Sequence, residues 1–191
     1  AVLSIGSAPG VLATNPNVIG YYTSWQQETA DVDFSKYTHV NLAFATPAQD
    51  GTISFGQKPS PTTVIGQIQA KNAKVLVSIG GWSGSKYFSA LVKDTSASNP
   101  FITNIVNFVD TNKLDGIDID WEFPGLAGND GNSIDEANDT PNYLTFVTNL
   151  RAAFTSKFGA SKKLITMAVR VQPFDVNGSP STDVSGYMAV E

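Results

Sequence analysis

The residues most able to do chemistry lie in one stretch of eight, DGIDIDWE at positions 115–122. Acidic and bulky apolar side chains alternate there, which is typical of a β-strand with two different faces. Asp118, Asp120 and Glu122 would share one face, with neighbouring carboxyls about 6.6 Å apart at the rise of a strand. Carboxyls this close cannot all be ionised comfortably where water is excluded. The pattern predicts one chemical face and one packing face, although a solvated acidic edge strand or a cation site remains an alternative.

The overall composition argues against several other kinds of site. The chain has no cysteine and one histidine, His39, so neither a thiolate or histidine-rich metal site nor a Ser-His-Asp triad is expected. No metal or other cofactor is therefore predicted. The net charge of -5, with no basic run, argues against nucleic acid or an anionic membrane as a partner. No apolar run reaches the about 18 residues that a membrane span requires, and a neutral polymer remains open as a substrate.

The elements that would position these carboxyls form an alternating series. From Asn17 onward, strand-like and helix-like segments follow one another, which predicts an α/β fold with a parallel sheet and crossover helices. The predicted strands are Val18–Tyr22, His39–Ala45, Lys74–Gly80, Asp115–Glu122 and Leu164–Val171. Helical segments are predicted near 33–37, 61–72, 101–109 and 141–158, with another beginning in 183–191. Asp50-Gly51 predicts a turn, around which the flanking residues form a small hairpin.

The acidic stretch and its continuation, DGIDIDWEFPG at 115–125, resemble the D-x-x-D-x-D-x-E signature of glycoside hydrolase family 18, the chitinases and chitinase-like proteins. SIGGW at 78–82 resembles the S-x-G-G motif that ends the third barrel strand of that family. GYY at 20–22 and NLAF at 41–44 are similar to its first two strands. The resemblance implies an N-terminal extension over 1–16 and the N-terminal portion of a (β/α)8 TIM barrel over 17–191.

That barrel is expected to be incomplete in this chain. About five strands and four to five helices are predicted, whereas a complete (β/α)8 barrel takes about 250 residues. The family's strand-six tyrosine and strand-eight tryptophan, which contact the reacting sugar, have no counterpart here. An open sheet edge at the fifth strand predicts self-association or poor stability of the isolated chain.

The resemblance also implies a mechanism in which the substrate assists. Glu122 would protonate the glycosidic oxygen and later activate water. The nucleophile would be the 2-acetamido carbonyl of the substrate, and Asp120 would orient its N–H. Asp118 would share a proton with Asp120, so that the two titrate as a pair. Asp115 is expected to shape the strand entry instead of doing chemistry.

Further site residues are placed by the strand ends and by the resemblance. Catalytic residues of parallel barrels lie at the carboxyl ends of strands, where Tyr21, Phe44 and Trp82 are predicted to fall. Aromatic rings there can stack on sugar rings, and ordinary packing is the alternative. The remaining candidates are Ser78 as a donor to Asp118, Gly81 for close backbone approach, and Arg170 on the inward face of the fifth strand. The long loop 124–141 has the length of a functional lid.

The resemblance implies endo-type hydrolysis of β-1,4-linked N-acetylglucosamine polymers, with chitin or chitooligosaccharide as partner. A lectin that binds such oligomers without turnover is the alternative, and an acidic cation-binding protein is a third. A secreted, extracellular protein is expected. Asn138 and Asn177 fit the glycosylation sequon, which would place their loops at the surface.

Overall fold

The computed structural model describes residues 16–23, 25, 28–56, 61–159, 163–176 and 178–188. The predicted N-terminal extension, apart from Pro16, and the sequon residue Asn177 lie outside these ranges. Within them, the alternation of strands and helices predicted from the sequence is present. No helix among the described residues combines the length and apolar character that crossing a membrane requires.

A parallel sheet forms the centre of the fold. Its strands follow one another in space as they do along the chain, in the order β1, β2, β4, β5 and β6, and every neighbouring pair is parallel. Their bounds are β1 Ile19–Thr23, β2 His39–Pro47, β4 Lys74–Gly80, β5 Gly116–Asp120 and β6 Leu164–Met167. Consecutive parallel strands must be joined by crossovers, so all their carboxyl ends lie at one edge.

Two short antiparallel pairs accompany the sheet. Strand β3, Ile53–Ser54, folds back on the end of β2 after the turn at Asp50 and Gly51, as the sequence predicts. A second hairpin pairs β7, Phe174–Val176, with β8, Ser179–Ser181, and it was not predicted.

The helices cover the outside of the sheet. They are α1 Pro61–Gln69, α2 Phe88–Val92, α3 Thr95–Thr111, α4 Asp139–Phe158 and α5 Ser185–Met188. Two single turns of 3-10 helix, Thr29–Asp31 and Phe34–Lys36, precede β2. The side chain of Asp94 accepts the N–H of Ala97 and so caps α3. Helix α1 ends three residues before the predicted boundary at Asn72, whose backbone is left-handed with φ of 61°.

Two predicted strands are shorter than expected. Strand β5 ends at Asp120, so Trp121 and Glu122 lie just beyond it instead of within it. Strand β6 ends at Met167 instead of Val171. Its hydrogen bonding with β5 stops at the bond from the Ala168 N–H to the Ile119 carbonyl, so the residues that follow have no strand to pair with. Val171, the predicted end of this strand, is 91% exposed.

The apolar face of the acidic stretch packs into the core as predicted. Ile117, Ile119 and Trp121 are all buried, and the Trp121 ring stacks on Phe88 with centroids 5.3 Å apart. Helices α3 and α4 extend this cluster through further ring pairs, such as Phe101 on Phe146. Burying each of these large side chains stabilises the folded protein by about 1.5–3 kcal/mol. The core therefore holds β5 firmly, and the opposite face of the strand is left for the carboxyls.

Candidate active site

Asp118 lies at the centre of the polar face and is only 2% exposed. Its Oδ2 accepts hydrogen bonds of 2.8 Å from the hydroxyls of Tyr21 and Ser78, and its Oδ1 accepts one of 2.6 Å from Thr166. The three hydroxyls come from β1, β4 and β6, so one carboxyl ties three strands to β5. The donation from Ser78 agrees with the expectation from the sequence, whereas Thr166 was not among the predicted site residues.

Burial raises the pKa of all three carboxyls, and neighbouring groups change the size of the shift at two of them. Burial raises the pKa of Asp118, and the hydrogen bonds from Thr166, Ser78 and Tyr21 oppose that shift. Burial, with the charges of Glu122 and Asp118, raises the pKa of Asp120 from 3.8 to about 7. Burial alone raises the pKa of Glu122. The site thus favours carboxyls that keep a proton at a pH where an exposed carboxyl has lost it, as general acid catalysis requires.

Asp120 makes folding stability depend on pH. The pKa of Asp120 is higher in the folded protein than in the unfolded chain. The contribution of Asp120 to the free energy of unfolding is therefore fully present below about pH 4 and is lost as pH rises towards about 7. We expect Asp120→Asn to remove this dependence and to gain about 1–3 kcal/mol at neutral pH, less than the full shift implies because the side chain is partly exposed. Urea unfolding across this interval measures the effect, and identical pH profiles for the two proteins would contradict it.

The backbone of Glu122 is held by side chains that sequence reasoning missed. The Glu122 N–H donates to Ser85 Oγ at 2.9 Å, and the Glu122 carbonyl accepts from Asn132 Nδ2 at 3.2 Å. Neither Ser85 nor Asn132 belongs to a strand. The length of the loop that contains Asn132 was the one feature of the sequence that pointed to a functional role there. The peptide bond from Glu122 to Phe123 is cis.

Two glycines bring the ends of β4 and β5 together. Gly80 has φ of 117° and Gly81 has φ of 78°, a left-handed region that side chains rarely adopt. The Gly81 N–H donates to the Asp120 carbonyl at 2.8 Å. A Cβ on Gly81 would lie 3.0 Å from the Phe44 ring. Close approach at Gly81, expected from the sequence, is therefore approach to β5 and to Phe44.

Exposed aromatic rings surround this edge of the sheet. Trp82 is 51% exposed and Tyr21 is 42% exposed, although the Tyr21 hydroxyl is bonded to Asp118. Phe44 is half-buried, and its ring centroid lies 6.2 Å from that of Trp25, which is 62% exposed. Trp25 was not predicted as a site residue, although its place directly after the first strand was a usable signal. The four rings offer apolar surface of the kind that stacks on sugars.

Arg170 and Asp115, which were also considered from the sequence, each have defined polar contacts. Arg170 lies beyond the end of β6, where its guanidinium pairs with the carboxylate of Asp175 and lies 5.1 Å from the Phe123 ring centroid. The positive charge of Arg170 is therefore paired with Asp175, and the contact of Arg170 with substrate stays a prediction. Asp115 accepts the Val75 N–H at 2.8 Å, so it stabilises the entry of β5 as expected. The described residues contain no group of three or more His, Cys, Asp or Glu side chains placed to hold a metal ion.

Comparison with known proteins gives a consistent result. The family model described as glycosyl hydrolases family 18 matches residues 17–188. A chitinase-like effector of Moniliophthora roreri is 37% identical over 176 residues, which cover 89% of this chain and 41% of that protein. A secreted chitinase of Penicillium expansum is 35% identical over 158 residues, which cover 76% of this chain and 10% of that protein.

The fold is similar to that of solved chitinases. The crystal structure of a chitinase from Rhizomucor miehei matches with a TM-score of 0.80 at 34% identity, over 92% of this chain and 54% of that one. The predicted α/β fold of the TIM-barrel family is thereby confirmed. The chain spans about half the length of that structure, and 41% of the effector.

Proposed function

Because this chain belongs to glycosyl hydrolase family 18, we propose that it acts on chitin or chitooligosaccharides as an endo-type, retaining glycosidase that uses substrate assistance. The observation that carries the proposal is the line of three carboxyls with raised pKa values at the end of β5. The exposed rings of Trp82 and Tyr21 beside them support a sugar as the ligand.

In the proposed reaction, the Glu122 carboxyl gives its proton to the glycosidic oxygen as the bond from that oxygen to C1 breaks. The acetamido carbonyl of the same sugar attacks C1 and forms an oxazolinium ion. Water then attacks C1 from the face that the leaving group vacated and gives a proton to Glu122, while the bond from C1 to the acetamido oxygen breaks and restores the acetamido group. Two inversions at C1 retain the configuration. Acid and base catalysis of this kind contributes about 10²- to 10⁴-fold to a rate.

Asp120 and Asp118 have different roles in the proposed reaction. Asp120 accepts the acetamido N–H, which aligns the carbonyl for attack and offsets the positive charge of the oxazolinium ion. Asp118 has its oxygens held by three hydroxyls, so it cannot move towards the sugar without breaking buried hydrogen bonds. We therefore assign Asp118 to the electrostatics of Asp120 and not to contact with substrate.

The test is hydrolysis of chitohexaose by the full chain, followed by liquid chromatography of products and by proton NMR of the first-formed anomer. Internal cleavage with the β anomer formed first is the expected result. Absence of turnover with intact folding would overturn the enzymatic proposal.

A lectin function is the second candidate, because similar proteins are named chitinase-like effectors and the chain spans about half or less of its relatives. Calorimetry with chitotetraose separates the two candidates. A lectin binds the oligomer and leaves it intact, whereas an enzyme cleaves it.

We expect Trp82→Ala to weaken chitotetraose binding by about 1–3 kcal/mol, since the ring is half exposed and its stacking area would be lost. Calorimetric titration measures the change. Val18→Ala is the matched control, because Val18 is also exposed but precedes β1, at the opposite edge of the sheet. Equal affinities for wild type and Trp82→Ala would assign the ring to packing.

An extracellular location is part of the proposal, and the secreted chitinase of Penicillium expansum supports it. Self-association through the edge of the sheet at β6 stays a prediction from the sequence. Light scattering of the full chain tests it, and a monodisperse monomer would contradict it.

A further inference from the structure

The two peptide groups that flank the Glu122 Cα are each held by a side chain from a loop. The Ser85 hydroxyl, which is fully buried between β4 and α2, accepts the Glu122 N–H at 2.9 Å. Asn132, from the loop between β5 and α4, donates its amide to the Glu122 carbonyl at 3.2 Å. Because Glu122 lies past the last ladder bond of β5, these side chains replace the constraint that strand pairing would otherwise supply.

Ser85 also contacts the backbone at the ends of β4 and β5. Its Oγ lies 2.9 Å from the Gly81 carbonyl and 3.2 Å from the Asp120 carbonyl. A hydroxyl has one proton, so it donates to one of these oxygens while it accepts from Glu122. One buried atom thus sets the spacing of Gly81, Asp120 and Glu122.

The loop that carries Asn132 is itself held close to the acid. A Cβ on Gly128 would lie 1.9 Å from the Glu122 carbonyl oxygen, so the loop backbone passes directly against that peptide. Ser133 donates both its N–H and its hydroxyl to the Lys86 carbonyl, next to Ser85 in the chain. The two loops therefore form one unit around Glu122.

We propose that Ser85 and Asn132 are positioning residues that aim the Glu122 side chain by holding the two peptide groups on either side of its Cα. This inference rests on the proposed function for its kinetic consequence, but this clamp of two hydrogen bonds exists whether or not the chain turns over substrate. The Glu122 side chain leaves the backbone at the Cα between these two peptide groups, so rotation of either one moves the carboxyl. A displacement near 1 Å at a reacting group can cost about 100-fold in rate.

The experiment compares Ser85→Ala and Asn132→Asp with wild type in the full chain. Each should lower kcat on chitohexaose by about 10- to 100-fold per folded molecule and change KM by less than about threefold. The reason is that the position of the Glu122 carboxyl affects proton transfer and not the binding of the oligomer. Ser98→Ala is the matched control and should keep wild-type kinetics, because Ser98 is a buried serine of α3, a helix that carries none of the candidate site residues. Unchanged kcat in both variants would overturn the proposal.

A second measurement does not need turnover. Hydrogen exchange by NMR should be at least about 10-fold faster at the Glu122 amide in Ser85→Ala than in wild type, and unchanged in Ser98→Ala, since the amide loses its acceptor. Equal protection of this amide in wild type and Ser85→Ala would sink the clamp even for an inactive protein. Faster exchange together with an inactive wild type would instead reject the proposed function and keep the clamp.

Discussion

Glu122→Gln should lower turnover of chitooligosaccharides by at least about 100-fold, the lower end of what general acid catalysis contributes. The amide keeps the shape of the carboxyl but has no acidic proton to give to the glycosidic oxygen. Affinity for chitotetraose should stay within about threefold, because the stacking rings and Asp120 are unchanged. Initial rates and calorimetric titration on the same preparation measure both quantities.

Glu136→Gln is the matched control for this variant. Glu136 is an exposed residue of the loop before α4, so the same chemical change should leave the rate at the wild-type level. If Glu122→Gln keeps most of the wild-type rate, Glu122 is not the acid. A parallel loss of oligomer affinity would show instead that the carboxyl serves binding.

Gly80→Ala should destabilise the folded protein by about 3–5 kcal/mol. A Cβ at this position would lie 2.3 Å from the Asp120 carbonyl oxygen, and the φ of 117° is strained for any residue with a side chain. The contact joins the backbones of two central strands, so no flexible side chain can move aside to relieve it. A loss of this size is a large part of the about 5–15 kcal/mol that holds a typical domain together. Urea unfolding followed by circular dichroism gives the value.

Gly66→Ala supplies the opposite expectation from the same chemical change. Gly66 lies in the exposed face of α1, and a Cβ there would meet nothing within 4 Å. Alanine should therefore stabilise the protein by about 0.5–1 kcal/mol through its higher helix propensity. Equal stabilities for the two alanine variants would mean that the close approach of Gly80 to β5 is not a constraint.

Local pattern determined much of the fold in advance. Strand β4 was predicted at its observed bounds, because the five residues between Lys74 and Gly80 are apolar except for Ser78, a pattern typical of a buried parallel strand. The two faces of the acidic stretch were also predictable, since alternation is a property of the extended backbone itself. The errors lay where no local pattern operates: β6 stops when its partner stops, and the β7 and β8 hairpin has too few residues for a periodic signal.

The three candidate carboxyls were identifiable from the sequence, but the causes of their pKa shifts were not. Asp118 has its pKa raised by burial and opposed by hydroxyls from Tyr21, Ser78 and Thr166, which lie 97, 40 and 48 residues away along the chain. The Ser85 bond to Glu122 spans 37 residues. Residue type and spacing determine which groups point the same way, because that follows from short-range backbone geometry. Burial, pKa and backbone hydrogen bonds from distant side chains arise only when the strands and loops pack, so the tertiary structure alone decided them.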